Sequence, residues 1–258
     1  MNKNKAKSIV FVLLTIICIA VLVYSLYQGL IIYIPQKQEQ HRFIELQKIV
    51  SQEFIENEPC SENADNVESR SKFSEIVKMN GDFRAWLKIK ETIIDYPVLK
   101  SPEDTPEYYL HRDFDKNYSF SGTPFIGAGA DENSDVFVVY AHNMNNDTMF
   151  GTLDNYTDIQ WAKQHPDVEF DTLEENRVYH VFAAFKTTVG SENEFKYSEK
   201  AGNLNDDEFF ALINEIRDNS ITDIDDCPTQ KTQILLLSTC SYHAENGRFV
   251  VAAYKIHP

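Results

Sequence analysis

Thr232-Gln-Ile-Leu-Leu-Leu-Ser-Thr-Cys240 is an almost wholly apolar run that ends on two small polar residues and a thiol. Continuous Ile-Leu-Leu-Leu, without alternation, reads as a strand covered on both faces and hence central in a sheet. The next apolar run, Arg248-Phe-Val-Val-Ala-Ala-Tyr-Lys-Ile256, follows the loop Ser241-Tyr-His-Ala-Glu-Asn-Gly247. If the two pair as a hairpin, Cys240 and Arg248 come together at the loop mouth. A cation there lowers a thiol's pKa, or holds the oxyanion formed when a thiolate attacks a carbonyl. Taken alone, Cys240 also reads as a buried structural cysteine or as the disulfide partner of Cys227.

Upstream, Asp135-Val-Phe-Val-Val-Tyr-Ala-His142-Asn-Met is a second hydrophobic strand that ends on a group able to exchange protons near neutral pH. Taken alone, such a histidine reads as a surface or capping residue. Cys240 and His142 nonetheless occupy the same kind of place, the polar exit of a buried strand. On adjacent strands they would form an activated nucleophile with its proton carrier. His41, His111, His165, His180, His243 and His257 lack that setting, and His243, in the loop after Cys240, is the main rival.

Between these runs, IIDYPVL, TPFIGA, VEF and RVYHVFAAFKTTV add short stretches rich in Val, Ile, Phe, Tyr and Thr, so strands are expected from Trp86 onward. Helical interruptions are expected around 147–164 and 205–218, the second opened by Asp and Asn as N-cap. Few crossover helices favour a mostly antiparallel barrel or sandwich over a parallel α/β sheet.

Toward the amino terminus, Phe73, Ile76 and Val77 suggest a short helix ending near Asn80-Gly81, and residues 59–70 read as a loose linker. Residues 36–58 place Phe43, Ile44, Leu46, Ile49, Val50, Phe54 and Ile55 at helical spacing. Before them, Ser8 to Ile34 contains no charged residue, which suits a membrane-spanning helix and exceeds a signal-peptide core. Lys3, Lys5 and Lys7 precede it and place the amino terminus in the cytoplasm. The expected division is a tail at 1–7, an anchor at 8–34, a helical stalk and linker at 35–72 and a globular domain at 73–258 outside the membrane.

The net charge is −16, which argues against nucleic acid or anionic headgroups as partners. Of four cysteines Cys18 lies in the span, so Cys60, Cys227 and Cys240 are an odd exported set with at least one thiol unpaired within the chain. No metal-ligand spacing or calcium loop appears, so neither metal nor cofactor is expected.

The LSTC run with its short loop and Arg248, together with the upstream Tyr140-Ala-His-Asn-Met144, resembles the sortases, class B in particular. The resemblance runs from about Phe73 to Ile256 and includes Asp82-Phe-Arg-Ala-Trp86, Ile94-Asp-Tyr-Pro-Val98 and Ser121-Gly-Thr-Pro-Phe125. It implies a mostly β fold, a closed eight-stranded sortase-type barrel with N-terminal helices and one inserted helix, preceded by the transmembrane helix. It also implies a cysteine transpeptidase. Cys240 would attack the Thr–Gly or Thr–Asn bond in a C-terminal sorting signal of a secreted protein, and an amine of peptidoglycan or its lipid-linked precursor would resolve the acyl-enzyme. His142 would carry the proton and Arg248 would hold the oxyanion, while Ser238, Thr239 and Tyr140 match positions lining the substrate groove. Two departures stand out: Ala141 where class B members often carry glycine, and Ser241 where others have an acidic or different side chain.

Two other readings compete. A membrane-tethered papain-like protease would use the same chemistry but wants its cysteine at the start of a long helix. A non-catalytic extracellular β-domain would leave Cys240 merely buried.

Overall fold

The Ile-Leu-Leu-Leu run is a strand whose two faces meet different surroundings. Leu235 and Leu237 point into the core of a barrel, whereas Ile234 and Leu236 pack outward against Phe209, Leu212, Ile213 and Ile216 of a helix. That double cover is why the run is continuous and not alternating. The computed structural model describes residues 3–56, 72–192, 194–224 and 226–256.

Eight strands close the barrel in the order β1-β2-β3-β4-β7-β8-β6-β5. They are β1 (Phe83–Lys88), β2 (Asp95–Lys100), β3 (Phe125–Ile126), β4 (Val136–Tyr140), β5 (Asp167–Thr172), β6 (Val178–Thr188), β7 (Ile234–Cys240) and β8 (Gly247–Ile256). The closed eight-stranded barrel expected from the sequence is thus found. Pairing is antiparallel except between β2 and β3 and between β4 and β7. The parallel β4–β7 pair lets two strands carry functional groups out of the same end of the barrel.

Among the described residues the α-helices are α1 (Lys3–Glu56), α2 (Ser74–Met79), α3 (Ile159–Gln164) and α4 (Asp206–Asn219). The chain divides into two compact units, Met1–Arg42 and Phe43–Pro258. Within the second unit Phe43, Leu46 and Val50 are buried in the barrel's core cluster, and the Phe43 ring meets Tyr96 edge-on with centroids 5.1 Å apart. Ile44, expected on that face, is exposed. α4 is the inserted helix, opened by a capping box in which Asn205 and Glu208 bond each other's backbone N–H.

Two details differ from the sequence reading. The first strand begins at Phe83, ahead of Trp86; a register shift between Phe83 and Ala85, and burial of Trp86 beside Ala85 and Leu87, break the alternation that would have marked it. The helix expected over 147–164 is shorter: Asp147 and Met149 adopt positive φ, a 3₁₀ turn spans Leu153–Thr157, and α3 starts only after Asp158 caps it. The linker at 59–70 and Cys60 lie outside the described residues.

Candidate active site

Alternation along the strands places Ser238 and Cys240 on the outer face of the barrel wall with Leu236, and Arg248 on that face with Val250 and Ala252. β7 and β8 pair in antiparallel register with Cys240 opposite Arg248. On the other side β4 runs parallel to β7 with Tyr140 opposite Ser238. Past that point Ala141 N–H donates to the Ser238 carbonyl (3.2 Å), and Thr239 Oγ donates to the Ala141 carbonyl (2.8 Å). His142 and Cys240 therefore leave the β4–β7 edge side by side, each two residues beyond the last position at which those two strands pair.

Cys240 is exposed and free, and Cys227 is free as well, which removes both the buried-cysteine reading and the Cys227–Cys240 disulfide. The thiol stands in a groove of about 340 Å³ with Tyr140, Ser238, Thr239 and Arg248 along its walls. Leu110 and Glu107, from the β2–β3 connection, and Tyr197, from the excursion before α4, complete it. Inside the groove the Tyr197 hydroxyl and Ser238 Oγ are 2.6 Å apart. Burial pushes the Tyr197 and Tyr140 hydroxyls up, so both are neutral donors at ordinary pH. Arg248 Nη1 donates to the Gly247 carbonyl at 3.0 Å.

His142 Nε2 lies 2.9 Å from the Leu110 carbonyl. A carbonyl only accepts, so Nε2 carries the hydrogen of this bond and Nδ1 is the nitrogen left to exchange a proton. Burial holds the imidazole below the ordinary histidine range, the His111 ring adds to that with its centroid 5.2 Å away, and the Leu110 bond pulls the other way. His243, the rival, is exposed in the β7–β8 loop, where Nδ1 is 2.9 Å from Ser241 Oγ.

The sequence reading missed Leu110, Glu107, Tyr197 and Asn143. Asn143 Nδ2 donates both to the Cys240 carbonyl and to Asp154 Oδ2, each at 3.0 Å. Its place directly after His142 was the one available signal.

Known proteins share the fold of this chain. The family model of the sortase domain matches residues 87–256. Sortase B of Staphylococcus aureus is 29% identical over 260 residues, covering 98% of each chain. Sortase B of Listeria monocytogenes serovar 1/2a is 29% identical over 193 residues, 72% of this chain and 74% of that one. Among solved structures, a Staphylococcus aureus sortase B–substrate complex superposes with a TM-score of 0.72 at 26% identity, over 86% of this chain and 98% of the other. The B. anthracis sortase B in complex with AAEK1 gives 0.71 at 26%, over 88% and 100%. The sortase-domain match and the shared fold support a cysteine transpeptidase of the cell-wall-anchoring kind. The chain belongs to the sortase family, and within it resembles class B.

Proposed function

We propose that this chain cleaves a C-terminal sorting signal of secreted proteins after threonine, and joins the new carboxyl end to an amine of peptidoglycan or its lipid-linked precursor. The observation that carries the reading is the placement of Cys240 between Arg248, its register partner on β8, and the parallel strand β4, which ends at Tyr140, two residues before His142. The Cys240 thiolate attacks the threonine carbonyl, and Arg248 donates to the oxyanion that forms. His142 gives its proton to the departing amine and later takes one from the incoming amine. Tyr140, Ser238 and Thr239 line the path of the extended peptide.

We also assign Phe11 to Ile34 to the membrane as part of an anchor over 8–34, with the tail 1–7 in the cytoplasm, a stalk over 35–72 and the catalytic domain, 73–258, outside. α1 is long and apolar enough to cross a bilayer, and Phe11, Ile17, Leu22 and Leu30 are exposed, as lipid-facing side chains are. A papain-like arrangement does not fit, because Cys240 ends a strand and starts no helix. A purely structural β-domain does not account for an exposed thiol in a groove.

The test is mass spectrometry of the chain with a small library of pentapeptides ending in Thr-Gly or Thr-Asn and an added amine. Cleavage after threonine with amide product supports the reading. Cleavage elsewhere, or none, refutes it.

A further inference from the structure

A second cavity, of about 390 Å³, adjoins the Cys240 groove through a shared wall of Pro106 and Glu107, and runs outward to His111, Arg112 and Tyr118. Its two opposite charges are unusual in a protein whose lysines and arginines mostly meet carboxylates. Arg84 faces Glu132, Lys100 faces Glu103, Lys116 faces Asp82, and Arg177 faces Glu175. Arg112 has no carboxylate partner among the described residues; its guanidinium lies 4.7 Å from the Tyr108 ring and donates to the Lys116 carbonyl. Glu107 has no cationic partner among them either, although it lines the same cavity. Tyr118 is 76% exposed and stacks on His111 with centroids 6.5 Å apart, and the His111 ring also meets that of His142, 5.2 Å away.

The two charges are also ordered in space. Glu107 lines both cavities and so stands on the Cys240 side, whereas Arg112 lines only the outer one. From this we infer that the outer cavity is the acceptor subsite, and that it takes an amine carried on a molecule with a free carboxylate. Glu107 attracts the ammonium end toward Cys240, and Arg112 holds the carboxylate away from it through the forked donor geometry that suits a carboxylate. The inference rests on the transpeptidase reading above and names the acceptor class for it. The ammonium first loses a proton to solvent. The neutral nitrogen then attacks the thioacyl carbonyl of Cys240. The new C–N bond forms, the C–S bond breaks, sulfur leaves with its electron pair as thiolate, and the second amine proton passes to His142.

A matched pair of acceptors tests this: lysine and cadaverine, which differ only by the carboxylate. The full-length chain in detergent is supplied with the pentapeptide it cleaves fastest, and amide product is measured against acceptor concentration. The wild type is expected to reach half-saturation with lysine at a concentration about tenfold or more below that with cadaverine. In Arg112→Gln that preference falls to near parity, and in Arg112→Lys it is partly kept. Equal half-saturation in the wild type, or a preference unchanged in Arg112→Gln, overturns the subsite while leaving donor cleavage standing. If Arg112→Gln does not fold, the wild-type ratio alone decides. Failure to cleave any donor overturns the transpeptidase reading and the subsite with it.

Discussion

Asn143 and Cys240 are joined by a hydrogen bond of 3.0 Å from the asparagine amide to the cysteine carbonyl. The residue after the histidine thus ties down the backbone of the thiol, and Asp154 fixes the amide by taking its second hydrogen. Tyr242 adds a parallel tie, its hydroxyl donating to the Asn143 carbonyl at 3.0 Å. These bonds tie the thiol and imidazole backbones together where the pairing of β4 with β7 has already ended.

Asn143→Ala should therefore lower kcat by up to about tenfold at nearly constant KM, since a hydrogen bond between neutral groups is worth roughly 0.5–1.5 kcal/mol net. Asp154→Asn keeps an acceptor for the Asn143 amide and should restore most of the rate that Asp154→Ala loses. A steady-state kcat and KM split on the three variants checks this. Parallel losses in Asp154→Asn and Asp154→Ala would contradict it.

Gly122 governs the other end of the imidazole. Its φ is +64°, and a Cβ there would press on the Leu110 and Tyr109 carbonyls. Leu110 is the acceptor for His142 Nε2, so Gly122→Ala should destabilise the fold by ~1–3 kcal/mol and also slow turnover beyond what that loss explains. Thermal melting beside the rate at a temperature where the variant is fully folded separates the two effects.

The barrel was legible where burial shapes sequence. The β7, β4 and β8 runs and the capped helix α4 stood out because both faces of a central strand, or one face of a helix, must be apolar. Parallel pairing of β4 with β7 was not legible, since register between distant strands leaves no local pattern. Cys240, His142 and Arg248 could be singled out as polar residues ending apolar runs. Glu107, Leu110 and Arg112 could not, because they sit in the long β2–β3 connection, which has no periodicity. Leu110 moreover acts through its carbonyl, which any residue supplies.

Acid should weaken the protein through His142. Its folded pKa is held below the ordinary histidine value of 6.5 by burial and then by the charge of His111, so the folded state binds fewer protons than the unfolded chain. That contribution is fully present above 6.5 and is lost as pH falls from there toward the lowered folded value. Melting temperature measured against pH should decline across that window, and more shallowly in His142→Gln. Replacing His111 by Gln removes one cause of the depression and should move the acidic limb of the pH–rate profile upward; an unchanged limb would show that His111 does not act on His142.

Arg248→Lys should lose most of the activity although it keeps the charge. A guanidinium donates two parallel hydrogen bonds, whereas an ammonium is a point charge on a flexible stem. Loss of an oxyanion donor costs roughly 10²–10³ in rate. If Arg248 instead acts by ionising Cys240, the lysine variant will turn over at a near-normal rate and alkylation by iodoacetamide will slow only in Arg248→Ala. His243→Ala, by contrast, should be mild.

The most direct measurement is the intact mass of the full-length chain mixed with a cleavable sorting pentapeptide in the absence of amine, followed by mapping of any adduct. A covalent acyl group on Cys240 is predicted, with none on Cys227, disappearing on addition of amine with the appearance of amide product. Cys240→Ala should carry no adduct and make no product while the barrel stays folded. An adduct on another residue, or turnover by Cys240→Ala above about one-thousandth of wild type, well over what loss of a nucleophile leaves, would contradict the account.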